Sequence, residues 1–339
     1  MSKTTELPVD YSQPHQKSID NPDLVTVLCP TRSRPDYLKS MISSLDDLAA
    51  VKELIDLWVL VDEDDRDTLA LIETEWDTTI GINISWCVQK RPVTLADGLN
   101  SLWKKSSNGG IYVYISDHYR MMTPHWDVRL RDVFKTIPND RFQVVQIEDE
   151  LRESDDLIIW AISAEWANAT GRFVPPYFPY WFIDMWIDHV ATMVGRKVHA
   201  GIKVRPINEE VVGTHALWNL AYWMEYFHKL LFERVDEVDA LLSAIYGPGT
   251  IDFEAARTKA ERPMSHYEKW ASAKIDQNKM TQIEQKYSGE RDNPDARYLA
   301  AEEIARRYMD QMEPRIKKFT LARQLDLKQN LLKSSLGYE

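Results

Sequence analysis

The chain has little cysteine, little glycine, no excess of positive charge and no long apolar run. Its 339 residues include two cysteines, Cys29 and Cys87. Two thiols build neither a disulfide framework nor a cysteine-rich zinc site, and both fall in predicted strands, where a buried thiol is the plain reading. No stretch approaches 18 consecutive apolar residues, which excludes a membrane-spanning helix. The first 22 residues are polar, lack an apolar signal core and read as a loose arm, so a cytoplasmic location is expected. Forty-one Lys and Arg face 53 Asp and Glu, a formal charge of -12. That balance opposes nonspecific nucleic-acid binding, which needs a basic face, although a local basic strip remains compatible with it. There is no Gly-rich dinucleotide fingerprint either, so a Rossmann-type NAD site is not expected.

What is present is a globular composition, 44% apolar with 12 Trp, 15 Tyr and 9 Phe, enough to build a large core. Short apolar runs alternate with helical periodicity. Strands are expected at about 24–29, 55–61, 82–88, 111–115 and 142–147. Between them, Leu38, Met41, Ile42, Leu45 and Leu48 share one helical face behind Pro35, and a short helix is expected near 66–77. Further helices are expected at 94–105 and after Thr123-Pro124, where Trp126, Leu130, Val133, Phe134 and Ile137 form the inner face. Asn108-Gly109-Gly110 reads as a turn. Strands alternating with helices predict an α/β fold with a mostly parallel sheet covered on both faces.

The middle section, 157–204, is rich in aromatics and prolines, from Trp160 to Phe182. A helix over 183–194 ends at Gly195, and a strand-like run follows over 198–204. Beyond Pro206 the pattern is mostly helical, over 217–246 and again over 296–312, where Ile304, Tyr308 and Met312 share a face; Pro314 interrupts it. The expected organisation is an arm (1–22), an α/β catalytic domain (23–204) and a helical C-terminal subdomain (205–339).

Three of the buried strands stop at polar or charged residues. The first ends in Pro30-Thr31-Arg32-Ser33-Arg34-Pro35, the second in Asp62-Glu63-Asp64-Asp65, and the fourth in Ser116-Asp117-His118. Ligands of open α/β sheets sit at the carboxyl ends of strands, so these ends are expected to share one pocket. Arginine side chains suit phosphate oxygens where glycines are lacking. Asp62 and Asp64 can accept from a base imide or a ribose hydroxyl; alternatively, the acidic run caps the following helix. Asp117 at a strand end can hold a divalent cation.

These motifs, together with Thr123-Pro124-His125-Trp126-Asp127 and with Pro175-Pro176 followed by Phe182-Ile183-Asp184-Met185-Trp186, resemble the GT-A glycosyltransferases. The likeness is to family 2 and especially to its compact bacteriophage versions. It covers roughly residues 24–204 and implies a GT-A nucleotide-diphospho-sugar transferase fold with a helical C-terminal appendage. It also implies that Thr31, Arg32, Arg34, Asp62 and Asp64 hold the nucleotide of a UDP- or GDP-sugar donor. Mn²⁺ or Mg²⁺ would bridge Asp117 and the diphosphate. Asp184 would be the general base of an inverting transfer, and Trp181 and Trp186 would offer flat faces to the acceptor. The acceptor would be a hydroxyl, on a hydroxymethylated pyrimidine of phage DNA or on a glycan. The basic run Arg315 to Lys333 is a solvated helix face or a strip for a polyanionic acceptor.

The sequence departs from the family pattern at three places. Ser116 stands at the first acid of the metal motif, His125 stands at a glycine position, and Val204-Arg205-Pro206-Ile207-Asn208 carries no histidine. His215, His118 or His199 would have to complete a metal site; otherwise Arg205 or Lys203 would meet the diphosphate without one. A nucleotidyltransferase and an inactive nucleotide- or glycan-binding protein stay open beside the transferase reading.

Overall fold

The computed structural model describes residues 15–75, 79–136, 140–151, 157–180, 182–207, 220–247 and 296–335. Its centre is one eight-stranded sheet. The first four strands in chain order are β1 (Asn21–Thr31), β2 (Ile55–Asp62), β3 (Asn83–Gln89) and β4 (Gly109–Tyr114); β5 (Tyr119–Met121), β6 (Val144–Asp149), β7 (Ile159–Ser163) and β8 (Lys197–Pro206) complete it. The spatial order is β3-β2-β1-β4-β7-β6-β8-β5. Strands β3, β2, β1 and β4 pair in parallel, as do β6 and β8, while β7 and β5 run antiparallel to their neighbours. This is the mixed, mostly parallel α/β sheet flanked by helices that the sequence predicts.

Burial explains the parallel half. Val25, Val27, Leu28 and Cys29 of β1, Leu57, Val59 and Val61 of β2, and Ile111 and Val113 of β4 are fully or almost fully buried, the near-continuous apolar character of strands covered on both faces. Helix α1 (Pro35–Asp47) begins at Pro35 and buries Leu38, Met41, Ile42 and Leu45, the face read from the sequence. After the short α2 (Arg66–Ala70), α3 (Leu95–Lys105) starts at Thr94, whose side chain accepts from the amide of Asp97. Helix α4 (Trp126–Thr136) buries Trp126, Leu130 and Phe134, and Ile137 lies outside the described residues. Helix α5 (Ala164–Thr170) precedes the Pro/aromatic segment. Then α6 (Ile183–Val194) ends at Gly195 in the left-handed region, φ 71°. Three helices complete the described chain, α7 (Leu220–Lys229), α8 (Leu231–Tyr246) and α9 (Ala296–Ser335).

Several local expectations are corrected. The middle section contains β7 and α5, hidden in the sequence by the density of aromatics. Helix α9 continues through Pro314, where an interruption is expected. The arm is held down from residue 15. His15 donates its amide to the carbonyl of Gly171. The buried Lys17 ammonium donates to the carbonyls of Trp103, Ser106 and Ser107 at 2.7, 2.7 and 3.1 Å. A lysine at the carbonyl end of α3 meets both the unsatisfied acceptors and the negative end of the helix dipole.

Gly109 and Gly110 are strand residues, not a turn. The register of β1 on β4 shifts between Asn21 and Val25, and there the backbone of Pro22 crosses close to Gly110. A Cβ on Gly110 would lie 2.2 Å from the Pro22 carbonyl oxygen and 2.5 Å from its Cα. Rigid backbone cannot yield as a side-chain tip would, so Gly110→Ala is expected to lower the unfolding free energy by roughly 3 kcal/mol, read from urea denaturation.

Candidate active site

The carboxyl ends of β1, β2, β3 and β4 open into one cleft. Its charged and polar lining comprises Thr31, Arg32, Arg34, Asp62, Arg91, Ser116 and Asp117. Its apolar wall is formed by Leu60, Pro92, Val93, Leu95 and Pro179, with Tyr114 and Tyr180 also facing it. The cleft opens to solvent and combines charged and apolar walls, the mixed chemistry of a small-molecule site.

The loop after β1 sets the geometry. Ser33 takes a left-handed backbone, φ 53°, and its amide donates to Asp65 Oδ2 at 2.8 Å. The reversal sends the flanking arginines to different partners. Arg32 forks onto Asp64, Nη1 to Oδ1 at 2.6 Å and Nη2 to Oδ2 at 3.0 Å, and Nη1 also reaches Asp62 Oδ2 at 2.8 Å. Arg34 Nη1 lies 3.2 Å from Asp117 Oδ1, while the Thr31 hydroxyl donates to Asp117 Oδ2 at 2.8 Å. Thus Thr31, Arg32, Arg34, Asp62 and Asp117 converge as expected, with Asp64 at the rim through Arg32.

Burial pushes the Asp62 carboxyl above its ordinary pKa, and the guanidiniums of Arg32 and Arg91 offset that only in part. The exposed Asp64 moves the other way, its carboxyl lowered by the hydrogen bonds from Arg32. The acidic run therefore divides by role. Asp65, 2% exposed, caps α2 by accepting from the amide and hydroxyl of Thr68, as the alternative reading of that run has it.

Arg91 is a cleft residue that the sequence reading missed; its Nε lies 3.2 Å from Asp62 Oδ2. The signal was present, because Gln89-Lys90-Arg91-Pro92 closes β3 with the same change from apolar to charged to proline that closes β1. Tyr114 was also missed, hidden as one apolar residue among five. It stacks on Trp160 with ring centroids 4.3 Å apart. Its phenol is held protonated far beyond its usual range, chiefly by burial and further by Tyr180, Cys29, Asp184 and Asp117. Tyr114 thereby sits within electrostatic reach of both Asp117 and Asp184.

Asp184 lies in the first turn of α6, half-buried, with Oδ1 accepting from the Met185 amide at 2.8 Å. It is not among the residues that line the cleft. The residue before α6, Phe182, adopts φ 71°, a costly conformation for a bulky side chain.

The expected acceptor contact at Trp186 is corrected. Trp186 is 0% exposed, donates Nε1 to Glu237 Oε2 at 3.0 Å and packs against Tyr177, Phe178 and Phe227. The sequence could not separate this ring from a ligand platform, because core and platform tryptophans share the same spacing. Trp181 and His215 lie outside the described residues.

A divalent cation needs several oxygen or imidazole donors around one point. Both oxygens of Asp117 are already engaged, one beside a guanidinium. His118 turns Nδ1 to the Ser116 hydroxyl at 2.7 Å and packs on Tyr119. His199 faces Glu148 at 3.8 Å, Arg205 pairs with Glu150, and neither these two nor Lys203 lines the cleft. Among the described residues no group of three His, Cys, Asp or Glu side chains could hold a metal ion. These residues alone do not fit one.

The Thr123–Asp127 motif is structural. Asp127, fully buried, accepts from the amides of Ala50 and Val51 and pairs with Arg131, while Trp126 Nε1 donates to the Leu45 carbonyl. His125 stands at φ 59°, in the left-handed region that favours glycine.

No protein-family model matches the chain, and no match was found among curated proteins. Among solved structures it is similar to a mannosyltransferase of Pyrobaculum calidifontis in complex with GDP-Man and Mn²⁺. The identity is 13% over 81% of this chain and 86% of that one, with a TM-score of 0.47. It is also similar to residues 1–349 of S. aureus TarS in complex with UDP-GlcNAc, at 11% identity over 78% and 91% and a TM-score of 0.47. Glucosyl-3-phosphoglycerate synthase of Mycobacterium tuberculosis is similar at 16% identity over 67% and 81%, with a TM-score of 0.37. Likeness of that degree says nothing of this chain's donor or acceptor. No described helix is long and apolar enough to cross a membrane.

With its ring in the core, Trp186→Phe is expected to lower stability by about 2 kcal/mol through lost packing and the lost bond to Glu237, measured by chemical denaturation.

Proposed function

We propose that the protein is a nucleotide-sugar glycosyltransferase. The observation that carries the reading is the convergence of three guanidiniums, Arg32, Arg34 and Arg91, on one cleft at the carboxyl ends of four parallel strands, beside an apolar wall. Guanidinium forks recognise phosphate oxygens. The wall of Leu60, Pro92, Val93 and Leu95 suits the flat face of a base. Asp62, its carboxylate at the same mouth, accepts from an imide or a ribose hydroxyl.

The reaction follows from that placement. An acceptor hydroxyl attacks the anomeric carbon of a UDP- or GDP-sugar. The bond from that carbon to the diphosphate breaks, the nucleoside diphosphate leaves with the electron pair, and the hydroxyl proton passes through one bridging water to Asp184, which does not itself line the cleft. Attack opposite the leaving group inverts the anomeric centre. Arg34 and Arg91 take up the charge that develops on the diphosphate. The acceptor class, a hydroxymethylated pyrimidine of phage DNA or a glycan hydroxyl, follows the family resemblance alone.

The test is release of nucleoside diphosphate from a panel of UDP- and GDP-sugars, with and without Mn²⁺, alone and with hydroxymethylcytosine DNA or a glycan added. At least one donor is expected to turn over. Arg34→Ala and Arg91→Ala should each raise its KM by roughly 10- to 100-fold, the worth of a charge-assisted hydrogen bond. No binding and no turnover of any nucleoside diphosphate or its sugar would sink the proposal; binding without turnover would leave a binding protein.

Asp184→Asn separates chemistry from binding. With the base removed, kcat is expected to fall by about 10²- to 10⁴-fold while the donor Kd, followed by calorimetry, stays near the wild-type value. Retained turnover would remove Asp184 from that role.

A further inference from the structure

The cleft wall is tied to the helical appendage through two glutamates of α8. Glu233 and Glu237 stand one helical turn apart, on the same face. Glu237 Oε2 accepts from Arg172 Nη2 at 2.5 Å and from Trp186 Nε1 at 3.0 Å. Glu233 Oε2 accepts from the Tyr177 hydroxyl at 3.2 Å, and its Oε1 accepts from the Tyr308 hydroxyl at 2.7 Å. Arg315 lies 3.4 Å from the same Glu233 oxygen and 2.6 Å from Asp236. The rings add to the joint, with Tyr177 5.5 Å from Tyr308 and 4.9 Å from Trp186 between centroids. Donors from the segment after α5, from α6 and from α9 thus meet on one face of α8.

The segment that begins at Arg172 and Tyr177 ends at Pro179 and Tyr180, which wall the cleft, and leads into Asp184. Its other side is held by α3. Asn100 accepts from the amides of Phe173 and Val174 and donates to the Val174 carbonyl, and the Leu95 amide donates to the Pro179 carbonyl at 2.8 Å. Apart from α3, the segment is held by the packing of Phe178 against α6 and α7 and by this outer grip, which supplies its directional bonds to α8. The grip is built from partly buried charge. Arg172 keeps its proton more tightly than a free arginine because Tyr177 and Glu237 outweigh the burial that would loosen it. Buried, hydrogen-bonded ions resist displacement and fix one arrangement where an apolar contact tolerates several.

We infer that Glu233, gripped by Tyr308 of the last helix, is a positioning residue. Through Tyr177 it fixes the wall Pro179-Tyr180 and the start of α6 against the donor cleft. The appendage is then part of the site. This rests on the transferase reading for its kinetic consequence but not for its structural one.

The test uses the full-length chain with Tyr308→Phe and Tyr177→Phe, each lacking one hydroxyl, and Glu233→Gln as a shape-preserving third variant. Amide hydrogen exchange over 177–184 is measured in the free protein, and donor KM and kcat are measured with the best sugar donor. Exchange in that segment is expected to quicken by about tenfold in both phenylalanine variants while the sheet strands keep their protection. Donor KM should rise by about three- to tenfold, with kcat falling less, and with Tm close to wild type. Unchanged exchange over 177–184 in all three variants would overturn the inference, whether or not the wild type transfers sugar. So would faster exchange accompanied by donor KM and kcat within twofold of wild type. A wild type that turns over no donor, with quickened exchange in the variants, would instead overturn the transferase reading and leave the grip standing.

Discussion

Ion pairs between one loop and three strand ends hold the cleft in shape. Arg32 and Arg34 leave β1 two residues apart, and one left-handed residue between them turns the first to β2 and the second to β4. Without those pairs, the little-exposed carboxylates of Asp62 and Asp117 would stand uncompensated in the cleft wall. The loop conformation and the ionised acids therefore sustain each other. The constellation is close to neutral, with Arg32, Arg34 and Arg91 set against Asp62, Asp64 and Asp117. An entering anion must draw guanidiniums away from their acids. Asp62 is the acid best placed to release one, because burial already weakens its ionised form and a ligand N–H or hydroxyl can replace Arg91 on it.

Residues that look alike in sequence divide sharply in space. Of the four consecutive acids after β2, Asp62 and Asp64 hold Arg32, Asp65 caps a helix and tethers Ser33, and Glu63 only donates its amide to the Gln89 carbonyl. The acidic residue of the Trp126-Asp127 pair never sees the cleft. It satisfies two amides of the turn before β2, and so fixes where that strand begins.

The parallel half of the sheet was legible because each strand is a buried apolar run, each helix keeps a clean face, and proline or threonine marks the helix starts. The strand ends were legible for the same reason: a change from apolar to charged residues is visible at Thr31, Asp62 and Asp117. Arg91 showed the same change and was passed over. The antiparallel strand β7 was not legible. Trp160 and its neighbours are aromatic or apolar for their roles in the sheet and beneath Tyr114, and such a run has no period that distinguishes strand from helix. Nor could spacing separate Trp186, packed under Tyr177, from a tryptophan offered to a ligand. That distinction depends on Glu237, which is 51 residues further along the chain.

The two sides of the cleft are built on different physics. The arginine side belongs to a sheet whose strands are locked by backbone ladders and by a core with almost no solvent access, so its residues have one place to be. The opposite side is a Pro/aromatic segment with no ladder of its own. Its amides are satisfied piecemeal by Asn100, and its entry into α6 passes through the unfavourable backbone of Phe182. Such a segment holds a single conformation only if neighbours over-determine it. The neighbours are α3 on one side and α7, α8 and α9 on the other. Their grip uses carboxylates and phenols because directional bonds select one register of tyrosines against glutamates, whereas apolar packing among so many similar rings would accept several. The helical third of the chain, which carries no motif, thereby accounts for the shape of the wall that faces Arg34 and Asp117.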